Sequence, residues 1–280
     1  MWIMRLAVLG SGSGGNAAVL MTGETTLLID AGFSARQLCQ RLRVMGVDPD
    51  SVDGILLTHE HSDHTRGLGV FLRKRPIPVY TSALTRESLS ERLGDQIEWR
   101  IFQRGQPFKA GDIAVEAFAL PHDAIDPVGF VCEVDGIRVG IATDFGHVTN
   151  LVRDRLRGVR VLLVEANYDQ GMLEEDARRP WSTKQRISSR HGHLSNVQTA
   201  ELVESLLPHG LETVVLGHLS CDCNCPEVAA STVRAVSREK GLGIHVASQD
   251  EPSCWIEIQR ETEHGRSRPE VMDQMNLAIG

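Results

Sequence analysis

The run Thr58-His59-Glu60-His61-Ser62-Asp63-His64 places four metal-capable side chains, His59, His61, Asp63 and His64, within six residues. An apolar stretch over 55–58 ahead of it reads as a strand, and a helix is expected near 65–74 behind it. On an extended chain, residues two apart point the same way, so His59 and His61 can grip one ion. Asp63 and His64 fall where the helix begins, and the turn re-aims them toward a second ion. Histidines in a surface turn can be merely solvated, but this density of ligands favours a metal centre.

A two-metal site needs further ligands, and three strand ends offer them. Leu120-Pro121-His122-Asp123 ends one strand on a histidine, Ala142-Thr143-Asp144 ends another on an aspartate, and Leu216-Gly217-His218 ends a third on a histidine. A lone His or Asp after a strand is more often a cap or turn residue. As a set they matter because each sits at a strand C-terminus, where sheets present chemistry.

Around these points the chain reads as strands over 6–9, 17–21, 26–29, 79–81, 97–101, 113–118, 128–134, 137–143, 159–164, 214–216, 244–247 and 255–258. Asp135-Gly136 between two of them is a hairpin turn. Helices are expected behind Ser34 with Gly46 as its stop, over 195–207 behind the cap Ser195, and over 226–240 behind Pro226. Hairpins early and interleaved helices later imply α/β architecture with sheets packed together and helices outside. One domain is expected over 1–260, with a polar tail over 261–280. A four-residue echo, Leu56-Leu57-Thr58-His59 against Val215-Leu216-Gly217-His218, hints at two similar halves.

Gly10-Ser11-Gly12-Ser13-Gly14-Gly15 with Asp30 twenty residues on fits the dinucleotide fingerprint by spelling alone. The fingerprint needs a helix directly after the glycines. Asn16-Ala17-Ala18-Val19-Leu20-Met21 reads as a strand instead, so a nicotinamide cofactor is rejected. A tight turn whose N–H groups could meet an anion is the plainer reading.

The chain has 280 residues, 41% hydrophobic and 24% charged, with a net charge of −8. That composition excludes collagen-like, low-complexity and disordered classes and leaves no chain-wide basic footprint for nucleic acid. No stretch approaches the roughly 20 apolar residues of a membrane span. Six cysteines in a chain of this length do not form a disulfide framework, and reduced thiols in the cytoplasm are expected.

With His59, His61, Asp63 and His64 spelling H-x-H-x-D-H, the sequence resembles the metallo-β-lactamase superfamily. The later motifs of that family match His122, Asp144 and His218, and Asp30 matches its early aspartate. The resemblance implies an αββα four-layer sandwich and two divalent ions, with zinc, manganese and iron all suited to imidazole and carboxylate. It implies His59, His61 and His122 on one ion, Asp63, His64 and His218 on the other, Asp144 bridging them, and Asp30 steadying the histidine turn.

Gly10–Ala17, Thr143-Asp144-Phe145-Gly146, Glu165–Asp169 and Gly192-His193-Leu194-Ser195-Asn196 are similar to the YycJ/WalJ branch, over about residues 5–258. Arg178, Arg179, Lys184, Arg186, Arg190 and His191 precede Gly192 without an intervening acid. Such a strip suits a phosphodiester backbone, and His193 is the candidate donor to the departing oxygen. Asn16, Arg186 and Asn196 are candidate holders of phosphate oxygens. Cys221, Cys223 and Cys225 lack the paired spacing of a zinc ribbon and read as inert turn residues. His147 could support Asp144, while His209, His245 and His264 read as surface residues.

The expectation is therefore a binuclear phosphodiester hydrolase, with Asp63, Asp144 and His193 central to catalysis. Two ions would share a water and lower its pKa toward neutral. The resemblance implies a DNA exonuclease acting from the 5′ end. A small cyclic phosphodiester or thioester substrate is the alternative, and a metal-stabilised binding protein without turnover the third reading.

Overall fold

The computed structural model of the chain describes residues 2–94, 96–237 and 241–259. The first sheet contains β1 (Trp2–Gly10), β2 (Ala17–Met21), β3 (Thr26–Ile29), β4 (Gly54–Leu56), β5 (Val79–Thr81) and β6 (Trp99–Ile101) in chain order. The second contains β7 (Phe108–Ala110), β8 (Ile113–Ala119), β9 (Val128–Val134), β10 (Ile137–Ala142), β11 (Val161–Glu165), β12 (Thr213–Gly217) and β13 (Gly243–Val246). The last strand, β14 (Ile256–Gln259), returns to the free side of β1. Strands β3 to β6 and β10 to β13 run parallel, and the remaining neighbours are antiparallel.

Strand alternation explains the layers. Met4, Leu6 and Val8 of β1 face a core shared with Val115, Phe130, Ile141 and Val215 of the other sheet. Ala7 and Leu9, pointing the opposite way, meet Leu38 and Leu42 of α1 (Ala35–Val44). That outer layer continues through α2 (Ser62–Thr65), α3 (Leu68–Leu72) and α4 (Ala83–Leu93). On the far face, Leu162 and Val164 pack under α5 (Asn150–Leu156), and α6 (Gln170–Glu175) and α7 (Trp181–Ile187) follow in the chain. Leu202 and Val203 of α8 (Asn196–Leu206) and Val233 of α9 (Pro226–Ser237) complete that layer. The result is the αββα sandwich. Among the described residues, no helix is long and apolar enough to cross a membrane.

Local sequence signals set several boundaries. Ser34 and Ser195 each form a capping box with a glutamine three residues on. Asp135 and Gly136 both take positive φ, 52° and 78°, as a primed hairpin turn requires. The helix expected near 65–74 is instead two short pieces. A side chain at Gly67 would lie 2.0 Å from the Phe33 carbonyl, so the chain crosses here on bare backbone. The strand expected over 55–58 stops at Leu56, which frees Thr58 for Asp30. The four-residue echo is out of register as a repeat. By position in its sheet β4 corresponds to β11, and β12 to β5. Residues 238–240 of the expected last helix, and the tail over 261–280, lie outside the described residues.

Candidate metal centre

The site grows from the ends of strands. Asp30 follows β3 with φ 58°, a conformation that a short polar side chain tolerates. Its Oδ1 accepts the Thr58 N–H at 2.9 Å, and its Oδ2 pairs with His64 Nδ1 at 2.8 Å. The Thr58 hydroxyl bonds Asp30 and stands 3.0 Å from His59 Nδ1. Both histidines are thus gripped through Nδ1, leaving Nε2 for the centre. Gly32 permits this turn: a Cβ there would sit 1.6 Å from the Asp63 carbonyl. The carbonyls of Asp63 and His64 instead accept the N–H groups of Asn16 and Ala31.

Ligand atoms of His59, His61 and His122 lie within 4.8 Å of one another, and those of Asp63, His64 and His218 form a second such group. Asp144 joins both sides, grouping with His59 and His64 and again with His193 and His218. Asp144 and His218 follow β10 and β12 with φ of 64° and 51°. The His122 ring is held by Nδ1 on the Gly192 carbonyl at 3.1 Å. His59 Nε2, Asp144 Oδ2 and both ring nitrogens of His218 are buried without a well-aligned hydrogen bond, although His218 Nδ1 lies 3.1 Å from Asp144 Oδ1 and Nε2 3.6 Å from Asp63 Oδ2. Buried polar atoms normally have partners, so orphans converging on one point fit a cation between them.

The electrostatics point the same way. Burial works against ionising Asp144, yet His218 and His64 hold its carboxyl well below the usual range. Burial likewise opposes ionisation of Asp63, and the adjacent His218 and His64 rings overcome it, holding its carboxyl well below the usual range. Burial would lower His218, but Asp144, Asp63 and Glu165 lift it to about 10. His64, also buried, is raised by Asp144 and Asp30. His59 moves the other way, lowered by burial and by the neighbouring His64. Carboxylates at this centre therefore demand positive charge, which protons on His64 and His218 supply in the bare protein and divalent ions would supply in their place. Imidazole and carboxylate donors fit such ions.

Residues 25–219 match the model for the beta-lactamase superfamily domain. The chain is 35% identical over 243 residues to the exodeoxyribonuclease YycJ of Bacillus anthracis, covering 86% of this chain and 92% of that protein. It is also 35% identical over 246 residues to the exodeoxyribonuclease WalJ of Streptococcus pneumoniae, covering 86% and 91%. The chain belongs to the YycJ/WalJ-like branch of the metallo-β-lactamase superfamily. It is a metal-dependent hydrolase. The fold matches the metallo-β-lactamase fold protein YhfI of Bacillus subtilis with a TM-score of 0.70 at 16% identity, over 89% of this chain and 98% of that one.

Within this metallo-β-lactamase site His193 stands beside the second ligand group, one-fifth exposed, with Nδ1 2.9 Å from Glu165 Oε2. Glu165 is fully buried, and its other oxygen accepts the Phe145 N–H at 2.5 Å. Burial opposes its ionisation, but His193 keeps it lowered. Sequence reasoning quoted Glu165 within a motif and gave it no role. The signal was there, an acid closing an otherwise apolar strand.

Two candidate phosphate contacts are corrected. Asn16 is 6% exposed, and its amide bonds Ser11, Gly12 and Asp63 and lies 3.2 Å from His64 Nε2. It shapes the glycine loop and the ligand turn. Asn196 is 1% exposed and pairs reciprocally with Asn224 at 2.9 Å. The glycine loop is no anion cradle either, since the N–H groups of Ser11, Gly12, Gly14 and Gly15 all bond within the protein. Ser11 instead supports His218 by accepting its N–H at 2.8 Å.

The basic strip is largely committed within the protein, in part to the adjacent Asp176 and in part to the distant Asp222 and Asp123. Arg178 and Arg179 both pair with Asp176 and Asp222. Arg186 pairs with Asp123 at 2.6 Å, whose other oxygen lies 3.3 Å from His122 Nε2. Lys184 bonds the Glu174 carbonyl, and Arg190 binds His147, which therefore does not support Asp144. Of the three clustered cysteines Cys223 is fully buried beside Tyr168 and Leu173, Cys221 is exposed, and all three are free. His209 and His245 are exposed, and His264 lies outside the described residues.

Proposed function

We propose that the protein is a binuclear DNA exonuclease acting from the 5′ end. The observation carrying this reading is the pair of donor groups that share Asp144, with His193 on Glu165 beside them. His59, His61 and His122 would hold one ion, and Asp63, His64 and His218 the other. When bound, such ions lower the pKa of water and neutralise charge on a phosphoryl group. The chain supplies the rest. Asp144 stays ionised between the two groups, Asp30 and Thr58 fix the imidazoles, and Glu165 turns His193 so that its other nitrogen can donate a proton to the leaving oxygen. Arg186, exposed and steadied by Asp123, is the remaining candidate contact to phosphate. Relatives named exodeoxyribonuclease support a DNA substrate. Six free cysteines support a reducing, cytoplasmic setting.

The test is digestion of 5′-labelled and 3′-labelled single-stranded DNA by protein loaded with manganese, zinc or iron, beside a His61→Ala control. Stepwise shortening from the 5′ end, absent in the control, is expected. Intact DNA with both ions bound would transfer the reading to a small phosphodiester or thioester substrate.

A further inference from the structure

A cleft of about 390 Å³ opens between the α2–α3 segment and α4, on the outer side of the ligand turn. Its walls carry Arg66, Arg73 and Arg92, and Leu72, Leu93 and Ile97 supply apolar surface between them. Elsewhere on this acidic chain, arginines meet carboxylates, as in Arg75 with Asp50, Arg104 with Asp126 and Arg155 with Glu116. Among the described residues, no carboxylate pairs with Arg66, Arg73 or Arg92. Arg66 gives one N–H to the Gly14 carbonyl at 3.0 Å, and Arg92 gives one to the Thr65 hydroxyl at 2.5 Å. A guanidinium has five donors, so each of these two keeps most of its fork uncommitted while being held in place. Among the described residues Arg73 has no hydrogen-bond or ion-pair partner, and it stands exposed on the cleft wall.

The cleft meets the ligand turn through one residue of its wall, Thr65. Thr65 follows His64 directly, and its hydroxyl also bonds the His61 carbonyl at 3.0 Å. Three cations around a hollow of this size, with apolar surface beneath, match a phosphate together with the sugar or base attached to it.

We propose that the Arg66–Arg73–Arg92 cleft binds a nucleotide of the substrate strand next to the one being cut. The arginines take its phosphate, and Leu93 and Ile97 lie under its sugar or base. This rests on the nuclease reading and adds a subsite to it. The subsite makes the enzyme prefer a polymer over a small diester, because only a strand reaches both the metal centre and the cleft.

The experiment uses metal-loaded protein and the variants Arg73→Ala and Arg73→Lys. Binding of a hydrolysis-resistant, phosphorothioate-linked single strand is read by fluorescence anisotropy across salt concentrations. Arg73→Ala should weaken binding about 10-fold and flatten the slope of log K against log salt by about 0.7, with Arg73→Lys restoring most of both. In turnover, the ratio of kcat/KM for the strand to that for bis(p-nitrophenyl) phosphate should fall about 10-fold in Arg73→Ala. An unchanged ratio, or unchanged strand binding, overturns the subsite. So does a thermal shift by free dAMP that Arg73→Ala abolishes while strand binding stays the same, since the cleft would then hold a free nucleotide. Arg73-dependent strand binding by a wild-type protein that leaves ordinary DNA intact would sink the nuclease reading and keep the cleft.

Discussion

At the scale of single residues, the metal centre depends on groups that never touch an ion. Asp30 orients His64 and Thr58, so Asp30→Asn should weaken metal binding about 10- to 100-fold in chelator competition. His193 shows the opposite separation. His193→Gln should lower kcat on DNA about 10²- to 10⁴-fold while metal content, read by elemental analysis, stays at the wild-type level. Equal loss of both would make His193 a ligand rather than a proton donor. Gly32 is a third kind of dependence, purely steric. A Cβ 1.6 Å from the Asp63 carbonyl has no flexible atom to push aside, so Gly32→Ala should cost about 3 kcal/mol by denaturant midpoint and deplete metal with it.

At the scale of elements, two capping boxes start helices on opposite outer layers; each serine was legible as a helix start, and the structure adds the glutamine three residues on that closes the box. Ser34→Ala and Ser195→Ala should each cost about 1 kcal/mol in thermal or denaturant unfolding. The two differ in consequence. Ser195 lies two residues beyond His193, and Thr199 in the same helix bonds the Glu165 carbonyl. Ser195→Ala should therefore also reduce kcat, while Ser34→Ala should leave kcat within about 2-fold of wild type, since the exposed Ser34 hydroxyl bonds only Gln37. Strands over 17–21, 26–29 and 128–134 were legible as short apolar runs, because their residues are buried on both faces of the sheet. Helix α4 and the short helices α5 to α7 were not. Helix α7 buries no residue at all, so no apolar stripe announced it.

At the scale of the whole molecule, the centre lies where the two sheets meet at their strand ends. His59 and Asp63 come from the first sheet's side, and His122, Asp144 and His218 from the second. Under the proposed donor assignment, ions held by both halves would bind the folded chain and not the unfolded one. Chelation should therefore lower the unfolding midpoint, and metal at about 100 times its Kd should restore about 2.7 kcal/mol, measured by calorimetry with and without chelator. An unchanged midpoint would mean that the donor groups do not hold ions across the sheets.

The sequence by itself determined the ligand turn, the three strand ends that complete the donor set, the rejection of the dinucleotide loop and the layered architecture. These rest on spacing, alternation and caps, which act within a few residues of chain. Tertiary structure alone decided which polar groups remain free. Asp222 and Asp123 reach Arg179 and Arg186 from 43 and 63 residues away, and Asn224 closes on Asn196 from 28 residues away. It equally left Arg66, Arg73 and Arg92 without a carboxylate among the described residues. Charge and hydrogen-bond satisfaction are set by neighbours in space, so a run of one sign in sequence does not fix the field that a substrate meets.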